Sequence, residues 1–183
     1  MSSLNRALSV TVLFSTALTS VGLTNPSKRP QEVASQNLAV IEMDIPTSEL
    51  LSKPGERPYH VGGKVYVKVR VRNDSDQPIK VRSFDSYYQN RPQLFKSGKL
   101  IRYRTKIAEF IRSIEADPQF VSLRRSVSLM PYASADLRDL ELNDWYGPLE
   151  PGSYRLINRY RFNIRGPWTA DSAPLLFQVV PEP

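Results

Sequence analysis

The fold of this chain is decided by the stretch Leu149-Glu150-Pro151-Gly152-Ser153-Tyr154-Arg155-Leu156. A turn that ends in Pro-Gly is followed two residues later by a tyrosine. This order is typical of a tyrosine corner, in which the tyrosine hydroxyl donates a hydrogen bond to the backbone a few residues upstream, near the start of an antiparallel strand. We expect Tyr154 to make this bond. The motif indicates an architecture and carries no chemistry of its own.

Apolar residues alternate with polar ones on both sides of this corner, which is the period of half-buried strands. The clearest run is Val65, Val67, Val69 and Val71, with Lys64, Tyr66, Lys68, Arg70 and Arg72 between and around them. The predicted strands, lettered in chain order, are A (39–45), B (64–72), C (79–83), D and E (candidates within 120–129 and 137–142), F (154–162) and G (173–179). The 15 prolines and 8 glycines lie mostly between these runs and favour short strands over long helices.

Two further elements are predicted between strands C and D. Apolar residues flank a turn that contains Gly98, which predicts a small hairpin over residues 94–101. One apolar helix face is formed at spacing i, i+3, i+4 and i+7 by Ile107, Phe110, Ile111 and Ile114. We therefore expect an amphipathic helix over residues 105–116. The predicted fold class is all-β: a seven-stranded antiparallel immunoglobulin-like β-sandwich, with the hairpin and the helix inserted between C and D.

A turn of sequence Asn-Asp-Ser-Asp-Gln-Pro at 73–78 follows the valine strand, and the corner at 149–154 opens a later one. With these turns in this order, the chain resembles the bacterial immunoglobulin-like domains typified by the intracellular proteinase inhibitor of Bacillus (the BsuPI-like group). The resemblance covers roughly residues 37–181 and implies the sandwich fold. It also implies an alternative function as a protease-inhibitor module, for which the segment 46–63 is the candidate loop. The chain departs from the inhibitor in its predicted export signal and in the helix at 105–116.

The start of the chain has a different composition from the rest. An apolar run with interspersed Ser and Thr begins at Ala7, and we expect residues 1–22 to be a secretory signal peptide. The small residues before the cleavage site are Ser20 and Gly22 or, alternatively, Ala17 and Thr19. Residues 23–36 are predicted to be a disordered tether and residues 37–183 to form the domain. We therefore predict an exported bacterial protein, periplasmic or secreted, with no membrane span after cleavage.

We predict no catalytic, cofactor or metal site from the residue types present. The chain has no cysteine, which excludes a thiol nucleophile and Cys-ligated zinc. Its only histidine is His60, so a hydrolase, our third interpretation, would have to use it. His60 lies between Pro58 and Gly62, where a solvated loop residue is expected. A further interpretation is general acid–base catalysis by a cluster of carboxylates. The solvent-exposed face of a strand explains this cluster more simply. Its members are Asp136, Asp139, Glu141 and Asp144.

Three loop features each have two interpretations. Asp74 and Asp76 would suit calcium, but the sequence around them is more typical of a turn. The triplet that begins at Asn73 matches the N-glycosylation acceptor pattern, which we expect to stay unmodified in a bacterial exported protein. Trp145 and Trp168 stand in loops beside Gly-Pro; we expect them to plug the ends of the sandwich rather than stack on sugars.

The charge pattern predicts one neutral and one basic face. The net charge of +7 at pH 7 favours anionic partners, although nucleic acid is not expected outside the cytoplasm. On the sheet A–B–E, the basic residues Lys68, Arg70 and Arg72 should be neutralised by the acids Glu42, Asp44, Asp139 and Glu141. On the predicted sheet C–F–G, no acid points outward. The candidate partner surface there consists of Lys80, Arg82, Arg155, Ile157, Arg159, Arg161 and Leu176.

Ile157 and Leu176 would be adjacent apolar residues on this basic face. Our hypothesis is that the helix at 105–116 covers them, with Glu109 and Glu115 near the arginines; otherwise the face is free for a partner. The favoured function is accordingly that of a non-catalytic exported domain that binds a protein or an anionic envelope polymer, without a cofactor.

Overall fold

The computed structural model describes residues 39–46 and 59–181. The predicted signal peptide, the tether and most of the segment 46–63 lie outside the described residues. The elements are β1 (Ala39–Asp44), β2 (Tyr59–His60), β3 (Tyr66–Asn73), β4 (Ile79–Ser83), α1 (Ser86–Gln89), β5 (Gln93–Lys96), β6 (Lys99–Leu100), α2 (Thr105–Ala116), a 3-10 turn (Pro118–Phe120), β7 (Arg125–Leu129), β8 (Ser134–Asp136), β9 (Leu140–Glu141), α3 (Leu142–Tyr146), β10 (Gly152–Ile157) and β11 (Leu175–Val180). Within these ranges, no helix has the length and apolar character that a membrane span requires.

The first sheet has β3 at its centre. β1 pairs along one edge of β3, and β8 and β9 pair along the other, all antiparallel. The predicted alternation of strand B is confirmed, because Val65, Val67, Val69 and Val71 are at most 1% exposed. The central position of B between A and a later strand is confirmed as well.

The outward face of this sheet is neutralised by ion pairs, as predicted. The pairs are Lys64–Glu141, Lys68–Asp136, Arg70–Asp136 and Arg72–Glu42. Asp136 takes the place that the sequence assigned to Asp139. The reason is that Asp136 lies in β8 directly opposite Arg70, whereas Asp139 lies in the link between β8 and β9.

The second sheet has the strand order β2-β11-β10-β5-β6, in which β2 pairs parallel and the other strands antiparallel. The tyrosine corner is confirmed, because the Tyr154 hydroxyl donates to the carbonyl oxygen of Glu150 at 2.6 Å. The hairpin is confirmed as β5–β6. Ser97 and Gly98 have φ values of 49° and 78°, and two successive positive φ angles are the requirement of a type I′ turn.

The predicted pairing of strand C with strand F is wrong. Strand C is β4, which pairs with β7, whereas β10 pairs with β5 of the hairpin. The chain turns into α1 immediately after β4, because the Asp85 side chain accepts a hydrogen bond from the backbone N–H of Tyr87 and caps that helix. The hairpin consequently occupies the position beside β10.

Strand F is also shorter than predicted. β10 ends at Ile157, and the backbone N–H groups of Asn158 and Tyr160 donate to the hydroxyls of Ser172 and Thr169 instead of a neighbouring strand. Hydrogen bonds to serine and threonine side chains therefore replace inter-strand backbone hydrogen bonds in the loop between β10 and β11.

One hydrophobic cluster joins the two sheets. It contains the four valines of the β3 region together with Tyr160, Phe162 and Phe177, so the predicted shared interior is confirmed. The described part of the chain is mostly β, with several antiparallel sheets and three short helices.

Helix α2 has the predicted bounds but not the predicted location. Ile111 joins the main core, and Ile114 packs with Phe84 and Tyr88 near α1. Leu176 stays 69% exposed, so the hypothesis that α2 covers it is wrong. The physical reason is that α1, which directly follows β4, offers α2 an apolar partner in Tyr87 and Tyr88.

Candidate partner-binding surface

The structure divides the predicted partner surface among three places. Two of its residues lie on β4, three lie in the second sheet and two follow the end of β10. They are, in that order, Lys80 and Arg82; Arg155, Ile157 and Leu176; and Arg159 and Arg161. The seven residues therefore do not form one face, because β4 and β10 belong to different sheets.

Arg161 belongs to a structural cluster and not to the surface, since it is only 8% exposed. Glu115 Oε1 lies 3.1 Å from Arg161 Nη2 and 2.5 Å from Arg91 Nη2. Both guanidinium groups also lie near the Trp168 ring, with Cζ to centroid distances of 4.1 Å for Arg161 and 4.7 Å for Arg91. Desolvation lowers the pKa of Arg91 although Glu115 opposes the shift. The cluster holds the end of α2 against the loop after β10.

The expected contact between Glu115 and the arginines is thus confirmed, while Glu109 is exposed on α2. Arg159 is half-buried, and its Nε lies 3.4 Å from Asp171 Oδ1. The arginines after β10 are consequently matched by carboxylates, of which the sequence analysis foresaw Glu115 but not Asp171.

An outward row of four side chains crosses the second sheet. We call Leu100, Phe95, Arg155 and Leu176 the outer row. They lie on four adjacent strands and are direct register partners, Leu100 with Phe95, Phe95 with Arg155, and Arg155 with Leu176. Leu176 and Leu100 are 69% and 58% exposed. The Arg155 Cζ lies 4.3 Å from the Phe95 ring centroid, so the guanidinium group stacks on that ring.

The outer row is bordered by polar residues on one side. Ser153 and Gln178 form the neighbouring register pair, and both are exposed. On the other side, Ile157 is half-buried and pairs with Gln93. The apolar part of this face is therefore a narrow line and not a broad patch.

A cavity of about 550 Å³ adjoins the outer row at Leu100 and lies between the hairpin and the start of α2. We call it the hairpin cavity. Its lining includes Gln93, Leu100, Ile101, Tyr103, Thr105 and Ala108. The hydroxyls of Tyr103 and Tyr146 both donate to the carbonyl oxygen of Pro92 at 2.6 Å. Burial raises the pKa of Tyr103 to about 12, so this phenol is neutral at physiological pH. Its proton is already donated to the Pro92 carbonyl oxygen.

Among the residues that the structure describes, no serine or acidic side chain is hydrogen-bonded to His60 as a catalytic triad would require. His60 is exposed in β2, and its Nδ1 lies 3.4 Å from the carbonyl oxygen of Pro181. Across residues 39–46 and 59–181, no group of three or more His, Asp or Glu side chains is arranged to hold a metal ion. Asp74 instead pairs with Arg72, whose hydrogen bond lowers the Asp74 pKa.

Three of the four clustered carboxylates do line one cavity, of about 560 Å³: Asp139, Glu141 and Asp144. The hydrogen bond from Lys64 lowers the pKa of Glu141. A general acid needs the opposite shift, because it must keep its proton near neutral pH. Arg124 and Arg138 line the same cavity. The arrangement is that of a charged surface cleft.

The two indoles and Asn73 have structural roles. Trp145 lies in α3 and not in a loop as predicted, and it is buried against the rings of Tyr87 and Tyr103. Trp168 is half-buried beneath the arginines. Asn73 is fully buried, and its Nδ2 donates to three backbone carbonyls. The acceptor pattern is therefore inaccessible in the folded protein.

Sequence reasoning missed Phe95 and Leu100 as surface residues. Their pairing follows from the two-residue turn at Ser97-Gly98, which places Lys96 opposite Lys99 and Phe95 opposite Leu100. That register was readable from the sequence. The pairing of the hairpin with β10 was not, because it depends on the turn at Asp85.

No family model matches the chain, and no curated protein sequence is similar enough to match it. Among solved structures, the chain is similar to the crystal structure of beta-glucosidase from Listeria innocua in complex with glucose, with a TM-score of 0.36 and 13% identity. The similarity covers 77% of this chain but 16% of that one. A likeness at this level carries no inference about fold or function.

Proposed function

We propose that this chain is an exported, non-catalytic immunoglobulin-like domain that acts by surface binding to a protein or an anionic envelope component. The composition of residues 1–22 supports export. The corner at Tyr154 and the core shared by two sheets support the immunoglobulin-like arrangement. Binding without catalysis agrees with the exposure of His60 and with the lowered pKa of Glu141.

The observation that carries the proposal is the exposure of the outer row. Leu176 and Leu100 lie on strands of one sheet, yet both are more than half exposed. Phe95 lies beside Leu100 in the row, and exposed apolar side chains on the face of a sheet are typical of interaction sites. Arg155 lies between them and makes no ion pair with any residue in the described part of the chain. It supplies the cation that an acidic or anionic partner requires.

The test is capture of partners from a bacterial envelope extract on the immobilised protein. We expect Arg155→Glu and Leu176→Asp each to lower the recovery of specifically bound components about tenfold. The matched controls are Arg125→Glu and Met130→Asp, which change an exposed arginine and an exposed apolar residue outside the outer row. Equal recovery with all four variants would contradict the proposal.

A further inference from the structure

From the outer row and the hairpin cavity we infer that the partner presents an extended polypeptide segment with apolar side chains and a carboxylate. The carboxylate binds Arg155, apolar side chains lie on Leu176, Phe95 and Leu100, and one more enters the hairpin cavity. This inference rests on the proposed function and deepens it, since it names the chemistry of the partner.

The dimensions of the row fit a short extended segment. The four residues of the row lie on four adjacent strands. With neighbouring strands about 4.8 Å apart, the row is about 14 Å long. An extended chain covers that distance with about four residues. The hairpin cavity continues the row at Leu100 and, at about 550 Å³, has the size of a small-ligand pocket.

The chemistry of the row favours a polypeptide over a polysaccharide. Leu100, Phe95 and Leu176 offer no hydrogen-bonding groups, so a partner gains from them only by burying apolar surface of its own. An anionic polysaccharide presents mostly hydroxyl and acidic groups and would leave these three side chains unmatched. A peptide can supply a carboxylate and several apolar side chains together.

The charges point to an acidic segment. The charged side chains of the row and the cavity lining are Arg155 and Arg102, and none of the described residues there carries a carboxylate. Stacking on Phe95 keeps the Arg155 guanidinium group at the sheet surface. A carboxylate can accept two parallel hydrogen bonds from such a group.

The shape of the row disfavours a lipid surface. Binding to a bilayer depends on a broad apolar area that enters the interface. Here the exposed apolar residues form a narrow line that Arg155 interrupts, and exposed Ser153 and Gln178 border it on one side. Binding to anionic lipid is therefore an outcome that the experiment must be able to detect.

The experiment measures fluorescence anisotropy of three labelled peptides of about ten residues, with the intact chain as binder. The first repeats Leu-Leu-Glu-Glu, so that each face of the extended chain presents both Leu and Glu; the second replaces Glu with Lys, and the third replaces Leu with Ser. We expect the Leu/Glu peptide to bind at least about tenfold more tightly than the other two. Arg155→Glu should reverse the preference between the Glu and the Lys peptides.

The variants distinguish three contributions to peptide affinity: contacts with the outer row, occupation of the hairpin cavity and non-specific charge attraction. Leu176→Asp should lower the affinity for the Leu/Glu peptide about tenfold. Ala108→Trp, which fills the hairpin cavity, should lower it by a similar factor. Leu176→Thr serves as a second row variant with a better strand former. Arg125→Glu and Met130→Asp should leave the affinity unchanged. Circular dichroism of each variant confirms folding.

Two results would overturn the inference. One is that no peptide binds, or that peptide affinity is independent of Leu176 and Ala108. The other is that vesicles containing phosphatidylglycerol bind with the dependence on Arg155 that was expected for the peptide. If envelope capture still depends on Arg155 and Leu176 in either case, the proposed function stands and only the polypeptide assignment fails.

Discussion

The Tyr154 hydroxyl lies 2.6 Å from the backbone carbonyl oxygen of Glu150 and donates a hydrogen bond to it. The bond closes the turn before β10, at Gly152, whose φ of 150° is one that residues with a side chain rarely adopt. The Tyr154 ring also stacks on Phe177 of β11, with centroids 5.3 Å apart. The corner therefore fixes the start of the strand that presents Arg155.

Removal of this hydroxyl should destabilise the protein without changing its packing. In Tyr154→Phe the ring remains on Phe177, but the Glu150 carbonyl loses its partner. We expect the free energy of unfolding in urea to fall by about 1 to 2 kcal/mol. Tyr132→Phe is the matched control, because Tyr132 is exposed. A loss no larger than in the control would show that the corner does not stabilise the turn.

Glu115 should contribute more to the stability of the fold than its exposed position on α2 suggests. Its side chain is 38% exposed, but the Arg91 and Arg161 side chains that it pairs are 12% and 10% exposed. Glu115→Gln leaves two neighbouring guanidinium charges without a carboxylate. Because water reaches Glu115, we expect a loss of about 1 to 2 kcal/mol, below the value for a fully buried pair.

Glu109→Gln is the matched control for this prediction, since Glu109 lies exposed on the same helix. Urea unfolding of both variants at pH 7 gives the comparison. Equal stability of the two would mean that the arginine cluster does not hold α2 in place.

Alkaline pH should destabilise the fold through Tyr103. Burial raises the pKa of Tyr103 from 10.0 to about 12. A group whose pKa is raised by folding contributes stability that is complete below its unfolded pKa and is lost as the pH rises through the folded pKa. The window is therefore pH 10 to 12. Tyr103→Phe should lose less stability across this window than the unaltered protein.

Urea unfolding at several pH values, with absorbance at 295 nm to follow phenolate formation, checks the Tyr103 prediction. Tyr132→Phe again provides the control. An identical pH dependence in Tyr103→Phe and the unaltered protein would contradict it.

Local patterns in the sequence were sufficient for strands A, B and C, for the hairpin and for the bounds of α2, but not for strand E, whose predicted range 137–142 contains the two-residue β9 and the start of α3. Val67 and Val69 alternate with charged residues without interruption, and the turn at Gly98 is specified by its own two residues. Such features depend on neighbouring residues alone. The pairing of distant strands was not readable, because it depends on how Asp85 turns the chain after β4.

The surface was predictable only in part for the same reason. Arg155 and Leu176 were placed on one face because they lie on the consecutive strands β10 and β11. Arg161 was assigned to that face by extending the alternation of strand F past Ile157. The loop after β10 instead turns Arg161 towards Glu115, which period-two reasoning cannot show.

The Gln89 side chain connects β4 with the segment after β10, which the sequence analysis expected to pair directly as strands C and F. Its Nε2 donates to the carbonyl oxygens of Arg82 and Arg161 at 2.8 Å, and its Oε1 accepts from Phe84 N–H and the Tyr160 hydroxyl. This side chain thus links β4 to the segment after β10, where no backbone strand pairing joins them.

Gln89→Leu would leave four buried polar groups without this partner, and we expect the free energy of unfolding to fall by at least about 3 kcal/mol. Gln119→Leu, at an exposed glutamine, should change it by no more than about 0.5 kcal/mol. A similar small change in Gln89→Leu would mean that water replaces these bonds and that the Gln89 side chain is not what holds the two segments together.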